Sequence, residues 1–193
     1  MIGMAKSGII GEIKDVEACF TKLVNDNTRE LIDIEYGGSF TELASYTLLP
    51  IIKLLGTNYK GIRFCYNNIS NGLDGYTKVY FDYENAFATS KTGLKVKSEG
   101  ELVISGTLGY IKVAAPWWKT TEFEVCYEDI SQNEKVYTQF KGDGLRYEIS
   151  DFVSIVNGYG DNIFKLACEE SISIAELMEY FLKEHRGIGF MNG

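Results

Sequence analysis

Apolar and polar residues alternate with a period of two along much of residues 60–140. The clearest runs are residues 62–66, 77–83 and 122–128, each closed by a Gly, Asn or Asp turn. An alternating run of about five to eight residues between turn residues predicts a strand with one buried face. Residues 11–23 predict one more strand, so we expect about six or seven strands in all. Because the connections between the runs are short, the sheet should be mainly antiparallel.

A helical period replaces the alternation in residues 40–55, where apolar side chains recur three and four positions apart. Ser39 is the predicted N-cap, and Glu42 three residues later completes a capping box. Gly56 is the predicted stop, because glycine readily adopts the left-handed conformation that ends helices. Pro50 predicts a kink, since it cannot donate a backbone hydrogen bond.

Two further helices are predicted near the C-terminus. The first covers residues 144–157, and the second is capped by Ser171 or Ser173 and followed by a frayed tail over 186–193. The order strand, helix, many strands, helix, helix is typical of an α+β fold. We therefore expect one large, mainly antiparallel open sheet with helices packed on one face, formed by residues 1–193 as a single domain.

The charge balance excludes some partners. The chain has 19 Lys and Arg against 27 Asp and Glu, which gives a net charge of −8. An acidic protein is not expected to bind the phosphate backbone of nucleic acids. No apolar run approaches the roughly 18 residues of a membrane-spanning helix, and residues 1–11 do not form a secretory signal. We expect a cytoplasmic protein with no membrane partner.

The four cysteines, at positions 19, 65, 126 and 168, are widely spaced and form no C-x-x-C pair. The chain contains a single histidine, His185, whereas zinc sites usually combine close cysteine pairs with histidines. We therefore predict free thiols and no metal site.

Glu42 and Tyr46 are the strongest catalytic candidates. They are four residues apart at a helix start, which places them on one face, and Gly37-Gly38 before them allows a ligand to come close. A carboxylate and a phenol on one face can position a substrate hydroxyl and relay its proton. The pair also has a structural interpretation, in which Glu42 caps the helix and Tyr46 joins the core. From the pair alone, the structural interpretation is favoured.

Three other residues are candidates for substrate binding. Trp117 and Trp118 are adjacent after a predicted strand, so one is expected in the core and the other at the surface. An exposed Trp118 with Lys119 beside it would suit a sugar or another partner. Arg29 would suit an anionic group of a substrate. The alternatives are two packed aromatic rings and a surface arginine.

Residues 37–56, GGSFTELASYTLLPIIKLLG, resemble a helix motif of the Gfo/Idh/MocA oxidoreductases, the relatives of glucose-fructose oxidoreductase and inositol dehydrogenase. The family pattern is Gly-Gly, then Asp-x-x-x-His, then Leu-x-Gly with its glycine ten residues beyond the histidine. Glu42 stands at the Asp position, Tyr46 at the His position and Gly56 at the final glycine.

The resemblance extends over nearly the whole chain. Residues 7–20 resemble the strand that opens the family's second domain, 106–118 its late strands, and 144–153 the helix that follows. It implies hydride transfer at a carbon of a sugar, nucleotide sugar or cyclitol, with NAD or NADP as the cofactor of the parent enzyme. It also implies proton transfer or hydroxyl binding by Tyr46, with Glu42 orienting the substrate.

The family's dinucleotide-binding parts are missing from this sequence. It contains neither the G-x-G-x-x-G loop of a Rossmann domain nor the family's Glu-Lys-Pro motif. The chain is therefore expected to be the C-terminal domain alone, without tight dinucleotide binding or turnover of its own. A separately encoded Rossmann partner is one alternative. A non-enzymatic module that binds sugar or peptide is another.

The family also implies subunit contacts through the open sheet face. Tyr76, Tyr80, Phe81 and Tyr83 suggest aromatic residues on both faces of the sheet. Because helices should cover only one face, we expect the other to expose a large apolar patch, which soluble monomers avoid. A homo-oligomer through that face is predicted.

Overall fold

The structure is a computed structural model, and it describes residues 1–119, 121–142, 144–158 and 166–186. These residues form five α-helices and eight strands. The helices are α1 Ile2–Lys6, α2 Arg29–Ile32, α3 Ser39–Leu55, α4 Gly144–Val156 and α5 Cys168–Arg186. The strands are β1 Ile13–Thr21, β2 Gly61–Asn68, β3 Asp74–Asp82, β4 Phe87–Gly93, β5 Leu102–Gly106, β6 Gly109–Val113, β7 Glu122–Tyr127 and β8 Glu134–Tyr137. Single 3₁₀ turns occur at Trp117–Lys119 and Ile130–Gln132.

The eight strands form one open sheet in the order β2-β3-β4-β1-β5-β6-β7-β8. Only β1 and β4 pair in parallel, and the other neighbours are antiparallel. The parallel pair is possible because α3 and two strands separate β1 from β4, which gives the long connection that parallel pairing requires. The predicted fold class, a mainly antiparallel open sheet with helices on one face, is confirmed. The count of six or seven strands was too low, since β8 has only four residues in which to show an alternating pattern.

Helix α3 covers the middle of the sheet, where it packs on β1, β3 and β4. Alternate strand residues face it, and Val16, Ala18, Val79 and Phe81 are fully buried there. Burying an aliphatic or aromatic side chain of this size contributes about 1.5–3 kcal/mol, so this layer dominates the stability of the fold.

Helix α5 lies beside α3 on the same face and is held by aromatic contacts. The ring of Phe181 lies 4.6 Å from that of Phe40 in α3, 5.4 Å from Phe64 and 5.7 Å from Tyr66 in β2. Phe181 is almost completely buried. These aromatic contacts therefore anchor α5 to both α3 and the sheet.

Helix α5 begins at Cys168, a few residues before the predicted caps Ser171 and Ser173. Glu170 explains the earlier start, because its Oε2 accepts the Ala167 N–H at 2.7 Å. The same oxygen accepts a hydrogen bond from the buried Lys53 of α3 at 2.8 Å. Burial disfavours the charged carboxylate, but these two donors lower the pKa of Glu170 below its ordinary value. Most of the tail predicted to fray, 187–193, lies outside the described residues.

The start of α3 differs from the predicted capping box. Gly38, with a φ of 100°, occupies the N-cap position, and no side-chain cap hydrogen bond is formed there. Instead, Asp74 of β3 reaches across, and its Oδ2 accepts the Phe40 N–H at 2.7 Å and the Ser39 hydroxyl at 2.8 Å. A carboxylate at a helix N-terminus also interacts favourably with the helix dipole. The cap prediction for Ser39 and Glu42 was wrong, because a buried carboxylate from another strand takes that role.

Helix α3 ends where the sequence predicts it. Leu55 is its last residue, and Gly56 adopts a φ of 86°, in the left-handed region that favours glycine. Pro50 lies inside the helix and is buried. A kink at Pro50 stays a prediction.

The sheet face opposite α3 is charged. Tyr76 and Tyr80 lie on it, whereas Phe81 and Tyr83 are buried on the other side. Ion pairs cross this open face between Lys91 and Glu99, Lys112 and Glu101, and Lys135 and Glu124. The large apolar patch expected there is therefore replaced by a mixed-charge surface, because charged residues such as Lys91, Lys112 and Glu124 alternate with buried residues along their strands.

Helix α4 leaves its apolar side chains exposed. It forms where the sequence predicts it, but its apolar stripe faces away from the core. Phe152 is 64% exposed, and Leu145, Ile149, Val153 and Val156 are each about half or more exposed. No helix in the described ranges is long and apolar enough to cross a membrane.

Candidate functional site

Four segments meet at the C-terminal end of β1. They are the end of β1 itself, α2, the first half of α3 and the 3₁₀ turn that contains both tryptophans. Side-chain contacts join Arg29 to Glu42, and Tyr46 to Trp118 through Phe20. Glu42 and Tyr46 share α3, and Lys119 follows Trp118 in the 3₁₀ turn, so the five candidate residues of the sequence analysis lie in one region. This region is called the β1-end site below.

Arg29 forms an ion pair with Glu42. Nη2 of Arg29 donates to Oε1 of Glu42 at 2.6 Å. The Arg29 side chain is 62% exposed, whereas that of Glu42 is 18% exposed. Charge-assisted hydrogen bonds of this length are strong and directional. The guanidinium therefore orients the Glu42 carboxylate, which is a role that sequence spacing did not suggest for Arg29.

Tyr46 lies one helical turn beyond Glu42, at the surface. Its side chain is about half exposed, so it does not join the core. Its ring meets Phe20 of β1 in an edge-to-face contact, with the centroids 5.0 Å apart and the planes at 83°. Edge-to-face contact of this kind fixes an aromatic ring while its polar end stays free. The Tyr46 phenol is thus a positioned hydroxyl at the rim of the site.

Phe20 also stacks on Trp118. The two centroids are 3.7 Å apart and the planes differ by 24°. Trp117 meets Trp118 edge-on, and its Nε1–H donates to the Cys19 carbonyl at 2.9 Å. The two tryptophans were predicted to point to opposite faces of a strand, but they occupy a 3₁₀ turn and both are half-buried. This turn, rather than strand alternation, aims Trp118 at Phe20.

A cavity of about 610 Å³ opens beside this stack. Phe20, Trp118 and Pro116 form its apolar wall, and Lys22, Lys97 and Lys119 supply its charge; Thr21, Leu23, Gly100 and Ala115 complete the lining. This size suits a small organic ligand. We name this cavity, with its three lysines, the lysine cavity.

Sequence reasoning missed Phe20, Lys22 and Lys97. The spacing of two between Phe20 and Lys22 on one extended segment was a usable signal, since such residues point the same way. Lys97 lies 75 positions beyond Lys22 in a loop, and no local pattern connects it to β1. Only the tertiary structure places it there.

A second, smaller cavity of about 290 Å³ lies on the open face. Burial disfavours ionisation of Glu99, but hydrogen bonds from Lys91 and Ser98 lower its pKa to about 2. Cys19 also lines this cavity, and burial raises the pKa of its thiol. A buried thiol with a raised pKa is a poor nucleophile. The charged groups Lys91 and Glu99 of this cavity are therefore paired with each other, and its thiol is not a reactive group.

All four cysteines are free, and Cys19 and Cys126 are buried. Within the described ranges, no group of three His, Cys, Asp or Glu side chains is arranged to hold a metal ion. The side chain of His185 lies outside the described residues. The chemistry of the β1-end site therefore rests on a carboxylate, a phenol, lysines and aromatic rings.

No protein-family model and no curated protein matches the sequence. Solved structures do share the fold. KijD10, a 3-ketoreductase from Actinomadura kijaniata solved with NADP, aligns with a TM-score of 0.68 at 15% identity, over 93% of this chain and 54% of its own. Its complex with TDP-benzene and NADP aligns with a TM-score of 0.69 at 15% identity, over 92% and 54%.

An oxidoreductase from Bacillus cereus aligns with a TM-score of 0.66 at 18% identity, over 93% of this chain and 57% of its own. At such identities, the likeness establishes the fold. The chain spans a little over half the length of these proteins. It has the fold of one part of these oxidoreductases.

Proposed function

We propose that this chain is the C-terminal, substrate-binding and oligomerisation domain of an NAD(P)-dependent oxidoreductase of the Gfo/Idh/MocA type. Its substrate would be a sugar, a nucleotide sugar or a cyclitol. The observation that carries the proposal is the arrangement of Glu42 and Tyr46 along the start of α3, with Arg29 of α2 paired to Glu42, on a fold shared with oxidoreductases. The 3-ketoreductase activity named for KijD10, and its complexes with NADP and TDP-benzene, support it.

In this proposal, Tyr46 exchanges a proton with the substrate oxygen. When a ketone is reduced, its oxygen becomes an alkoxide that must gain a proton. A phenol is a far stronger acid than an alcohol, so a neutral tyrosine can donate that proton. The exposed Tyr46 hydroxyl has the access that this step needs, and its contact with Phe20 holds the ring in place.

Glu42 is assigned to substrate orientation. Its carboxylate accepts hydrogen bonds, so it can bind a substrate hydroxyl next to the reacting carbon. Arg29 holds one of its oxygens through the 2.6 Å hydrogen bond and leaves the other available. Fixing a reactant in this way lowers the entropic cost of reaching the transition state. Arg29 acts here as a positioning residue.

The N-termini of α3 and α5 are not free to bind the pyrophosphate of a dinucleotide. A pyrophosphate usually binds at a free helix N-terminus, where backbone N–H groups point outward. At α3, the Asp74 carboxylate already accepts the Phe40 N–H, and at α5 the Glu170 carboxylate accepts the Ala167 N–H. We therefore assign the hydride chemistry to a dinucleotide-binding domain, either on the same polypeptide or on a separate one.

Two measurements test this function. Calorimetric titration of the isolated chain with NAD and NADP should give no saturable binding in the micromolar range, and such binding would contradict the proposal. In the complete enzyme, Tyr46→Phe should lower kcat by about 100-fold or more, the range expected for loss of general acid catalysis. Tyr137→Phe is the matched control, because this exposed tyrosine lies on the edge strand β8, and it should leave kcat unchanged.

A non-enzymatic binding module is the second candidate. The half-buried Trp118 in the wall of the lysine cavity favours it, since aromatic surfaces of this kind bind sugars and peptides. The two functions differ in one observation. A binding module would keep its ligand affinity and show no turnover in any pairing with a dinucleotide-binding domain, and Tyr46→Phe would have no kinetic effect.

We further propose a homo-oligomer through the open sheet face. The sequence analysis based this oligomer on an apolar patch, whereas the structure bases it on the charged side chains of that face. Lys91, Lys112, Glu99 and Glu101 place both signs on one surface. A surface that carries both positive and negative groups can be complementary to a second copy of itself across a two-fold axis. In such an interface, a lysine of one copy can contact a glutamate of the other, and the same glutamate of the first copy contacts that lysine of the second. Interfaces of this kind are polar and wet, so the association should weaken with salt.

A further inference from the structure

We infer that the lysine cavity binds the nucleoside diphosphate part of a nucleotide-linked sugar. The inference deepens the proposed function and rests on it for the role of Tyr46. Its starting point is the charge of the lining. Three lysines and no carboxylate line this cavity, in a chain with 27 acidic and 19 basic residues. A ligand of opposite charge is therefore expected at this position.

The three ammonium groups are weakly engaged within the protein. Nζ of Lys97 is 3.4 Å from the Thr21 carbonyl, and that of Lys22 is 3.7 Å from a Glu30 oxygen. Among the described residues, the Lys119 ammonium has no ion-pair partner. Lysines with donors to spare are suited to phosphate oxygens, to which they bind as point charges. The negative charge of two phosphates balances three lysines better than the single charge of one carboxylate does.

The apolar wall supplies the second part of the recognition. Trp118 and Phe20 form a stacked pair, and Pro116 lies next to them in the lining. A nucleobase can stack on such a surface, which is worth about 1–3 kcal/mol per base in other proteins. A free sugar has no phosphates, so it would leave the three lysines of the cavity without a ligand of opposite charge.

The position of the cavity connects it to the proposed chemistry. Phe20 forms part of the cavity wall and also contacts Tyr46. A sugar attached to the terminal phosphate can therefore extend past Phe20 toward Tyr46 and Glu42. A dinucleotide also contains a nucleoside diphosphate, and it is the other source of this chemistry. The nucleotide sugar is favoured because its reacting carbon would be carried to the proton-transfer group.

Titration calorimetry of the chain tests this inference, with UDP, UDP-glucose, uridine, inorganic pyrophosphate and NADP as probes. UDP and UDP-glucose should bind saturably. Uridine and pyrophosphate should each bind about tenfold more weakly or worse, because each keeps only half of the recognition. If pyrophosphate binds as tightly as UDP, the nucleobase contributes nothing to the affinity, and the inferred recognition of a nucleoside is wrong.

Matched variants locate the binding. Lys119→Gln and Lys22→Gln should each weaken UDP about tenfold, the effect of losing one charged hydrogen bond. Lys60→Gln removes the same charge from an exposed lysine that pairs with Glu84, and it should change UDP affinity less than about twofold. Trp118→Ala should weaken UDP about tenfold. The lysine variants keep the test valid if the tryptophan variant fails to fold, since Lys22 and Lys119 are exposed.

The outcomes separate this inference from the proposed function. If NADP binds more tightly than UDP-glucose and competes with it, the cavity is a cofactor site. That result would contradict both the nucleotide-sugar inference and the proposed function. No saturable binding of UDP or UDP-glucose would overturn the nucleotide assignment alone, because a large kinetic effect of Tyr46→Phe would still support the oxidoreductase function. UDP binding that is equal in Lys119→Gln and Lys60→Gln would also overturn it.

Discussion

Arg29 and Glu42 are 13 residues apart in the sequence, and Nη2 of Arg29 lies 2.6 Å from Oε1 of Glu42. The pair ties α2 to the first turn of α3, and it places a fixed carboxylate one turn from Tyr46. In the proposed function, its main role is to hold this carboxylate in place.

Arg29→Met should lower the free energy of unfolding by less than about 1 kcal/mol, because Arg29 is mostly exposed and surface pairs are worth little. In the complete enzyme it should lower kcat more than it raises KM, since the carboxylate loses its orientation. Glu42→Gln should have a kcat effect at least as large. If Arg29 acts through Glu42, the double variant should be no worse than Glu42→Gln alone, and additive losses would argue against that coupling.

Asp74 should be the most important polar residue for stability. Its Oδ2 accepts hydrogen bonds from the Phe40 N–H and from the hydroxyls of Ser39 and Thr77, all buried. Asp74→Ala leaves these donors without their acceptor, which should cost about 3 kcal/mol or more. Urea denaturation provides the measurement, and Asp82→Ala at the exposed end of β3 is the control. Similar losses in the two variants would contradict the role of Asp74 as the cap of α3.

Two phenylalanines on the C-terminal helices should respond very differently to truncation. Phe181→Ala in α5 should lower the free energy of unfolding by about 3–5 kcal/mol, since its ring is buried among three other aromatic rings. Phe152→Ala in α4 should change it by less than about 0.5 kcal/mol, since that ring is mostly exposed. Chemical denaturation of both variants decides this. A large loss for Phe152→Ala would mean that α4 packs against the core.

Acid pH should lower the stability of the fold through protonation of Glu99 on the open face. Its pKa falls from an ordinary 4.5 to about 2 in the folded protein, through hydrogen bonds from Lys91 and Ser98 that outweigh burial. A carboxyl with a lowered folded pKa stabilises the fold above its unfolded pKa, and this contribution is lost as the pH falls toward the folded value. The stabilisation should therefore disappear between pH 4.5 and 2.

Thermal unfolding midpoints of the wild type and of Glu99→Gln, measured across that range, test this effect. The difference between the two proteins should shrink as the pH falls. Glu84→Gln, which removes an exposed carboxylate from the Lys60 pair, is the control and should follow the wild type. Parallel profiles for the wild type and Glu99→Gln would show that the Lys91 contact contributes nothing.

The proposed homo-oligomer should be sensitive to salt. Light scattering should show the association weakening as ionic strength rises, because salt screens exposed charges beyond about 10 Å at 0.1 M. Lys112→Glu, which places like charges beside Glu101 on the open face, should weaken it further. An association that resists salt, survives Lys112→Glu and is lost in Phe152→Asp would instead place the interface on α4. A monomer at every salt concentration would exclude the oligomer.

The sequence alone determined the local structure of this protein. The alternation of residues 77–83 predicts β3, the helical spacing of residues 40–55 predicts α3, and Gly56 ends that helix as expected. These features depend on which side chains share a face and on backbone freedom at one glycine, and both are local properties. The pairing of Glu42 with Tyr46 on one face was accessible for the same reason.

Tertiary structure decided everything that depends on which distant segments become neighbours. The parallel pairing of β1 with β4 leaves no local trace, because it is set by the packing of the whole sheet. Asp74 caps a helix that begins 35 residues earlier, and Trp118 stacks on a ring that β1 supplies. The charge of the lysine cavity is likewise invisible in an acidic sequence, since its three lysines lie far apart along the chain and meet only after folding.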